Sequence, residues 1–392
     1  MRSKRRVLAL FWMLLPTIGS AQLQSTISLT TSLDGNAYRN YAQTADVISQ
    51  ANLDLSKAWL ASKWSGQFYY DGYLNHFADN SSRTFSFHQI GLASQRSLGS
   101  GSGLLSLGAR MSFRLDGADY EIYDFSEFAA YSNLKLPVSG LGILYAGYQV
   151  RNRSYTNLQE LSNWEHIVFT RLNFSLPSRT TFIFSSELGY KNYVSQVVAE
   201  ERAPVDDSSR GGRLRGNGSY FVYTEIDNPS AKQWVNSVRV SQSLFEKIGL
   251  SGYLRNRSNF GGDGRFLSGL ETGYFTEDEL YDDRYGYESI ETGAMLSTLL
   301  PRGIMLRLGY DHYSKDYQRL ALDLEGESLV GDVLRVDTRQ QAWGSLEKTF
   351  RLSQFSKDLK LYLEYLFIQN KSNDLYYDFS AGVGTLGVEV SF

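Results

Sequence analysis

The 392-residue chain contains no cysteine, which excludes disulfides, thiolate metal sites and lipidation at a cysteine. It has only four histidines, His76, His88, His166 and His312, so any imidazole chemistry must use one of these. Beyond residue 21 no apolar run reaches the roughly 18 residues of a transmembrane helix. Surplus positive charge is lacking too: the formal net charge is −3, which argues against a nucleic-acid partner.

The first residues have a different character. MRSKRR is basic, VLALFWMLLP is a short apolar stretch, and small residues follow at Gly19 and Ala21. This is the pattern of a secretory signal cleaved after Ala21. The apolar stretch is too short for a membrane anchor. Removal of Arg2, Lys4, Arg5 and Arg6 takes the formal charge from −3 to −7. The expected organisation is therefore a signal peptide over 1–21 and one domain over 22–392.

What the chain has in quantity is aromatics, with 27 Tyr, 22 Phe and 6 Trp, and long stretches of alternating polarity. SGLLSLGARMSFRL (102–115), SRTTFIFSSELGYK (178–191), RGIMLRLGYDHY (302–313) and DLKLYLEYLFIQ (357–368) are examples. Such runs exceed the five or six residues usual for soluble strands and match the span of a tilted membrane strand. Sixteen candidates are expected over 24–34, 46–60, 64–76, 83–98, 102–116, 124–137, 140–153 and 162–176, then 178–193, 232–246, 248–259, 286–300, 302–316, 338–353, 357–370 and 376–392. Fourteen is the fallback number, because the first and fourth are weakly patterned.

The breaks alternate in length. ASK, GSGS, PVSG, LPSR, EKIG, LPRG and SQFSK are short and turn-like, whereas the intervening breaks are longer and polar, notably 194–231 and 259–285. An antiparallel barrel sorts its connections in this way, with turns on one rim and loops on the other. The chain then ends on TLGVEVSF, with Leu386, Val388, Val390 and the terminal Phe392 at alternate positions. The whole arrangement resembles the bacterial outer-membrane β-barrel superfamily, and the ending resembles its C-terminal assembly signal.

That resemblance implies an outer-membrane location, with periplasmic termini and extracellular long loops. It also implies membrane lipid, lipopolysaccharide and the barrel-assembly machinery as partners. The first candidate strand begins within a few residues of Gln22, so no periplasmic plug is expected ahead of the barrel. No cofactor is expected.

Alternation assigns faces, because side chains two apart share a face and the apolar set goes to lipid. In 104–114 the outward set is Leu105, Leu107, Ala109, Met111 and Phe113, which turns Arg110 and Arg114 inward. In 359–367 the outward set is Leu359, Leu361, Leu363, Tyr365 and Phe367, leaving Lys360 and Glu364 inside. The same parity turns Asp54, Asp71, Arg151, Arg171, Glu187, Lys191, Arg239, Arg255, Arg257, Glu291, Arg307, Asp311, Glu347, Arg351 and Glu389 inward. A lipid-facing Lys or Arg at mid-depth costs about 2–4 kcal/mol, which enforces this assignment.

Sixteen strands about 4.8 Å apart and tilted near 40° enclose roughly 30 Å, too wide for side chains alone to fill. A porin-like channel for passive diffusion of small hydrophilic solutes is the leading expectation, and a non-conducting adhesin or scaffold barrel is the alternative. Arg239, Arg255, Arg257 and Arg307, with Glu291 between them, suggest an anion bias. The connection at 117–123 is too short to fold into the lumen as in trimeric porins, so a constriction is expected from 194–231 or 259–285.

Catalytic readings are weaker. Asp311 and His312 are adjacent, and neighbours in a strand point to opposite faces, so they cannot act as a pair. Ser314 lies two residues beyond His312, the spacing of outer-membrane phospholipases, but no Asn partner is assignable. The acidic loops DGADYEIYD (116–124) and TEDELYDDRY (276–285) carry oxygen ligands of the kind hard cations use. Their spacing fits no calcium loop, and no metal site is assigned.

Overall fold

The structure is a computed structural model that describes residues 23–99, 103–138, 142–193, 230–262, 264, 283–352 and 358–392. The expected signal over 1–21, and most of 194–231 and 259–285, lie outside the described residues. Sixteen antiparallel strands close into one barrel in which each strand pairs with its sequence neighbours and the first pairs with the last.

The strands are β1 (Leu23–Asp34), β2 (Asp46–Ala61), β3 (Trp64–Phe77) and β4 (Phe85–Leu98). Next come β5 (Gly103–Asp116), β6 (Phe125–Val138), β7 (Gly142–Tyr155) and β8 (Asn163–Ser175). Then follow β9 (Thr180–Tyr193), β10 (Ser230–Phe245), β11 (Ile248–Gly261) and β12 (Tyr287–Leu300). β13 (Ile304–Leu320), β14 (Leu334–Phe350), β15 (Asp358–Ser372) and β16 (Phe379–Ser391) complete the ring. All sixteen expected strands are present, so the fallback of fourteen does not apply.

Four boundaries differ from expectation by more than two residues. β13 runs on to Leu320 with mainly polar residues past its apolar pattern, and β14 starts at Leu334, where Leu334 and Val336 alternate with Arg335 and Asp337. β16 begins later than expected, since Leu375–Tyr377 forms a 3-10 turn whose Tyr376 amide is capped by the Asp374 carboxylate. β14 also stops at Phe350, so Arg351 stands just past the strand end and is exposed. Its expected inward placement is therefore not realised.

Short connections turn tightly, with Ser62, Arg179, Arg302 and Gly303 in the left-handed region, as two-residue hairpin turns require. Closure is completed by Phe392, whose amide donates to the Ser25 carbonyl at 2.8 Å. The two faces have opposite polarity. Outward positions expose large apolar side chains, among them Leu107, Met111, Leu361, Leu363, Tyr365, Phe367 and Leu386. Buried charges such as Glu127, Glu165, Lys191 and Glu291 occupy the other face, which must be the inner one because nothing covers the convex surface.

Six hairpins carry the same inward device, a glycine directly opposite a ring. The pairs are Gly91 with Tyr69, Gly108 with Tyr131, Gly147 with Phe169, Gly293 with Tyr253, Gly309 with Trp343 and Gly387 with Tyr362. In each, a Cβ on the glycine would overlap the opposing ring. The ring covers backbone that has no side chain of its own, a pairing that pins strand register.

Candidate functional site

The inner wall of β5–β9 carries one network of alternating charge. Glu127 on β6 accepts from Arg153 at 2.8 Å and lies 3.6 Å from both Arg110 and Arg151. Arg151 passes the network to Glu165 on β8 at 2.7 Å. Glu165 also meets Arg284 at 2.8 Å, and Arg284 reaches Glu187 on β9 at 2.6 Å. Charge-assisted contacts of this kind hold their partners in place and satisfy the Glu127 and Glu165 carboxylates, which are only 6% and 3% exposed.

Arg284 does not belong to the wall. It sits in the connection between β11 and β12, in the short turn Arg284–Gly286, and crosses the inner faces of β10 and β9 to reach β8. Three further contacts seat this turn. Asp283 accepts from Lys191 at 2.6 Å with both groups almost fully buried, the Gln233 amide donates to the Arg284 carbonyl, and Tyr285 covers Gly189. Burial pushes the Tyr285 phenol well above its ordinary value, against the pull of Arg284. Burial alone would lower Arg284, but Glu165, Tyr285 and Glu187 more than offset it and hold the guanidinium charged. The described end of 259–285 thus folds inward, on the side expected of a constriction.

A second ladder spans the opposite wall. Arg307 on β13 pairs with Glu347 on β14 at 3.3 Å, and Lys360 on β15 bridges Glu347 and Glu389 at 3.9 and 3.8 Å. Glu291 on β12 takes both Arg255 at 2.8 Å and Arg257 at 3.5 Å. Asp311 accepts from the Tyr253 hydroxyl at 2.8 Å and the Trp343 indole at 3.0 Å. Arg114 pairs with Asp116 at 2.8 Å, so that acid serves the strand and not a cation site. Glu364 lies exposed on the inward parity of β15. Among the described residues Arg239 and Arg171 make no ion pair, and Arg171 stacks 4.4 Å over Tyr145.

The suggested cation cluster is therefore largely neutralised, since Glu291 and Glu347 absorb Arg255, Arg257 and Arg307. Across the lumen Asp54 and Asp71 face each other in register. They line a recess of about 410 Å³ together with Gln67, Tyr69 and Gln89.

At the long-connection rim the lumen narrows under aromatic side chains. Tyr123, Phe125, Tyr155, Leu158, Leu161, Tyr376 and Tyr377 form one buried cluster, with Tyr38, Phe87, Tyr120 and Ile122 against it. The connections β5–β6 and β7–β8 thereby meet β15–β16, which leaves the barrel wall on nearly the opposite side. Guanidinium groups brace this roof by stacking, with Arg335 at 3.5 Å and Arg319 at 4.6 Å from Tyr377 and Arg153 at 4.3 Å from Phe125. Burial pushes the Asp374 carboxyl upward against the pull of Arg319 and Arg335, and burial likewise raises the Tyr376 phenol. The expectation that only 194–231 or 259–285 could narrow the channel is corrected here: shorter connections do so by converging.

Several of these residues were not singled out from sequence. Glu127, Arg153 and Glu165 share the inward parity of Arg151 and were legible by the same rule. Arg284 and Tyr285 sit in a connection without periodicity, and Tyr376 and Tyr377 read from sequence as the start of the last strand.

The histidines lie on the outer face. His166 stacks between Tyr148 and Tyr190, with the Tyr148 hydroxyl 2.6 Å from Nδ1. His88 stacks on Tyr70. His312 and Ser314 share the outward parity of exposed Leu308 and Tyr310, whereas Asp311 points inward, so the Asp–His pairing is geometrically void.

The sequence matches no protein-family profile and no curated protein. Solved structures with the same fold include Pseudomonas aeruginosa OpdF, 11% identical over 95% of this chain and 98% of that one with a TM-score of 0.50. OpdK of the same organism, in its structure with vanillate, is 9% identical over 95% and 99% of the two chains, also with a TM-score of 0.50. OprD is 10% identical over 96% of each chain, with a TM-score of 0.48. The chain has the fold of bacterial outer-membrane porin barrels.

Proposed function

We propose that this protein is an outer-membrane porin-like channel that passes small hydrophilic solutes along a charged lumen. The observation that carries the reading is the inverted polarity of a closed sixteen-stranded barrel, with Leu361, Leu363 and Phe367 exposed outside and Arg–Glu ladders inside. Apolar side chains belong outside only where the solvent is hydrocarbon, and inward charge on this scale calls for water. The long connections then face the cell exterior, the termini face the periplasm, and the segment 1–21 acts as the export signal. Val388, Val390 and Phe392 would be read by the barrel-assembly machinery, and the outer apolar band would meet membrane lipid and lipopolysaccharide.

The inward residues Arg110, Arg151, Arg171, Glu187, Arg239, Arg255, Arg257, Arg307, Glu347, Lys360 and Glu364 would line the path. Paired ladders of this kind suit solutes that carry charge and hydrogen-bonding groups. Vanillate, the molecule in the OpdK structure, is a reasonable first solute to try.

The roof of Tyr376 and Tyr377 over the mouth favours a second reading, a barrel that does not conduct. Planar bilayers separate the two. Discrete conductance steps from the purified protein support the channel. If the intact protein is silent, the double substitution Tyr376→Gly and Tyr377→Gly should open it, and continued silence would rule the channel out.

A further inference from the structure

We propose that the outer face of β8–β11 is a contact surface for a second copy of this chain, related by a two-fold axis. The inference rests on the membrane-barrel reading above. Thr170, Ser186, Asn236 and Asn256 stand directly opposite one another on four successive strands. All four have the parity of the exposed apolar residues, Val168, Leu188, Trp234 and Leu254 respectively. A row of amides and hydroxyls therefore interrupts an apolar face, bounded toward the short turns by Leu172, Phe184, Val238 and Leu254.

Elsewhere the outer face behaves differently. β5 and β15 carry apolar residues throughout the corresponding stretch, from Leu105 to Phe113 and from Leu359 to Phe367. On β12–β15 the row Thr292, His312, Gln340 and Gln369 is followed toward the long connections by Ile290, Ser314, Thr338 and Lys371, three of the four polar. The β8–β11 row has Val168, Leu188, Trp234 and Ser258 directly beyond it, three of the four apolar.

Local bonds satisfy only part of the row. The Trp234 indole donates to Ser186 Oγ at 2.7 Å, and Ser258 donates to Asn256 Oδ1 at 3.1 Å. Among the described residues the Thr170 hydroxyl and the Asn236 amide have no side-chain partner. Hydrocarbon offers none either, so these groups need another polar surface.

The chemistry of the row selects its partner. It contains no charge, so it does not call for an oppositely charged surface. Amides and hydroxyls both donate and accept, so the same row on a second copy is complementary to it across a two-fold axis. Leu144, Phe184, Val238 and Leu254 stand beside the row and give the apolar rim of a packed interface.

The chain has no native cysteine, which makes a clean test. Asn236→Cys and, on the far side, Leu361→Cys are each expressed and treated in isolated outer membranes with a short bifunctional thiol crosslinker. Heat-modifiable migration and the membrane fraction establish first that each barrel is folded and inserted. The expected result is a shift to twice the monomer mass for Asn236→Cys and none for Leu361→Cys, with Asn236→Leu plus Asn256→Leu converting the native protein to monomer in mild detergent. No dimer from Asn236→Cys, equal dimer from both variants, or an adduct to a different protein would each overturn the proposal. Failure to reach the outer membrane at all would instead overturn the barrel reading beneath it.

Discussion

Leu361 and Glu364 lie three residues apart on β15, and opposite solvents act on them. Leu361 is 42% exposed on the apolar side, while Glu364 has the parity of Lys360, which is tied to Glu347 and Glu389. Substituting Leu361→Arg should lower folding stability by about 2–4 kcal/mol, the depth-dependent penalty for a basic group in lipid. Glu364→Arg should leave it nearly unchanged, because that site is wet. Urea unfolding in lipid vesicles measures both, and equal losses would refute the face assignment. A single residue also explains why Arg351 did not behave as expected. Its parity was right, but the strand ended before reaching it.

Among the elements, the β15–β16 connection has the most to add. Asp374 caps Leu375–Tyr377 through the Tyr376 amide at 3.2 Å and accepts from the Leu322 amide at 3.3 Å, which fixes the two tyrosines of the roof. Its carboxyl is raised above the ordinary value by burial. A raised acid binds its proton more tightly in the closed arrangement than in an open one, so its contribution is fully present at low pH. That contribution is lost as pH climbs through the raised value. The roof should therefore hold best at pH below the ordinary carboxylate range and loosen as pH rises through the raised value, seen as conductance rising with pH. Asp374→Asn keeps the cap and should flatten the dependence, whereas an unchanged slope would place its origin elsewhere.

This connection also marks the limit of what the sequence disclosed. Strands such as β5 and β15 were legible because lipid on one side and water on the other force a period of two. The end of β13, Tyr317–Leu320, lies past that constraint and carries no apolar period, whereas Leu334 and Val336 at the start of β14 do alternate with Arg335 and Asp337, a signal too short to extend the expected strand. Tyr376 and Tyr377 looked like the start of β16 because an aromatic run resembles a strand. What distinguishes them, their meeting with Tyr123 and Tyr155 from the far wall, is a property of closure that no local pattern encodes. The wall of the candidate site was largely readable, and the groups that narrow it were not.

For the whole molecule, selectivity should follow the charges left over after pairing. Arg307 shares Glu347 with Lys360, and Arg255 shares Glu291 with Arg257. Arg239 has no such partner among the described residues, so Arg239→Ser should reduce anion preference more than Arg307→Ser does. Reversal potentials under a salt gradient measure the difference. It should shrink at high salt, since the Debye length falls from about 10 Å at 0.1 M to about 3 Å at 1 M. A larger effect from Arg307→Ser would mean that the ladder does not neutralise its own arginines.

The glycine–ring pairs have a consequence for how such a barrel can change over time. Each of the six lies inside one hairpin joined by a long connection, never between two hairpins. On the inner face the alignment of two strands is thus written into one contiguous stretch of chain, while on the outer face Gly66 opposite Trp59 ties β3 to β2 of the next hairpin. Such stretches behave as interchangeable staves. A stave copied or lost would carry its own alignment with it, and the ring would grow or shrink by two strands and still close.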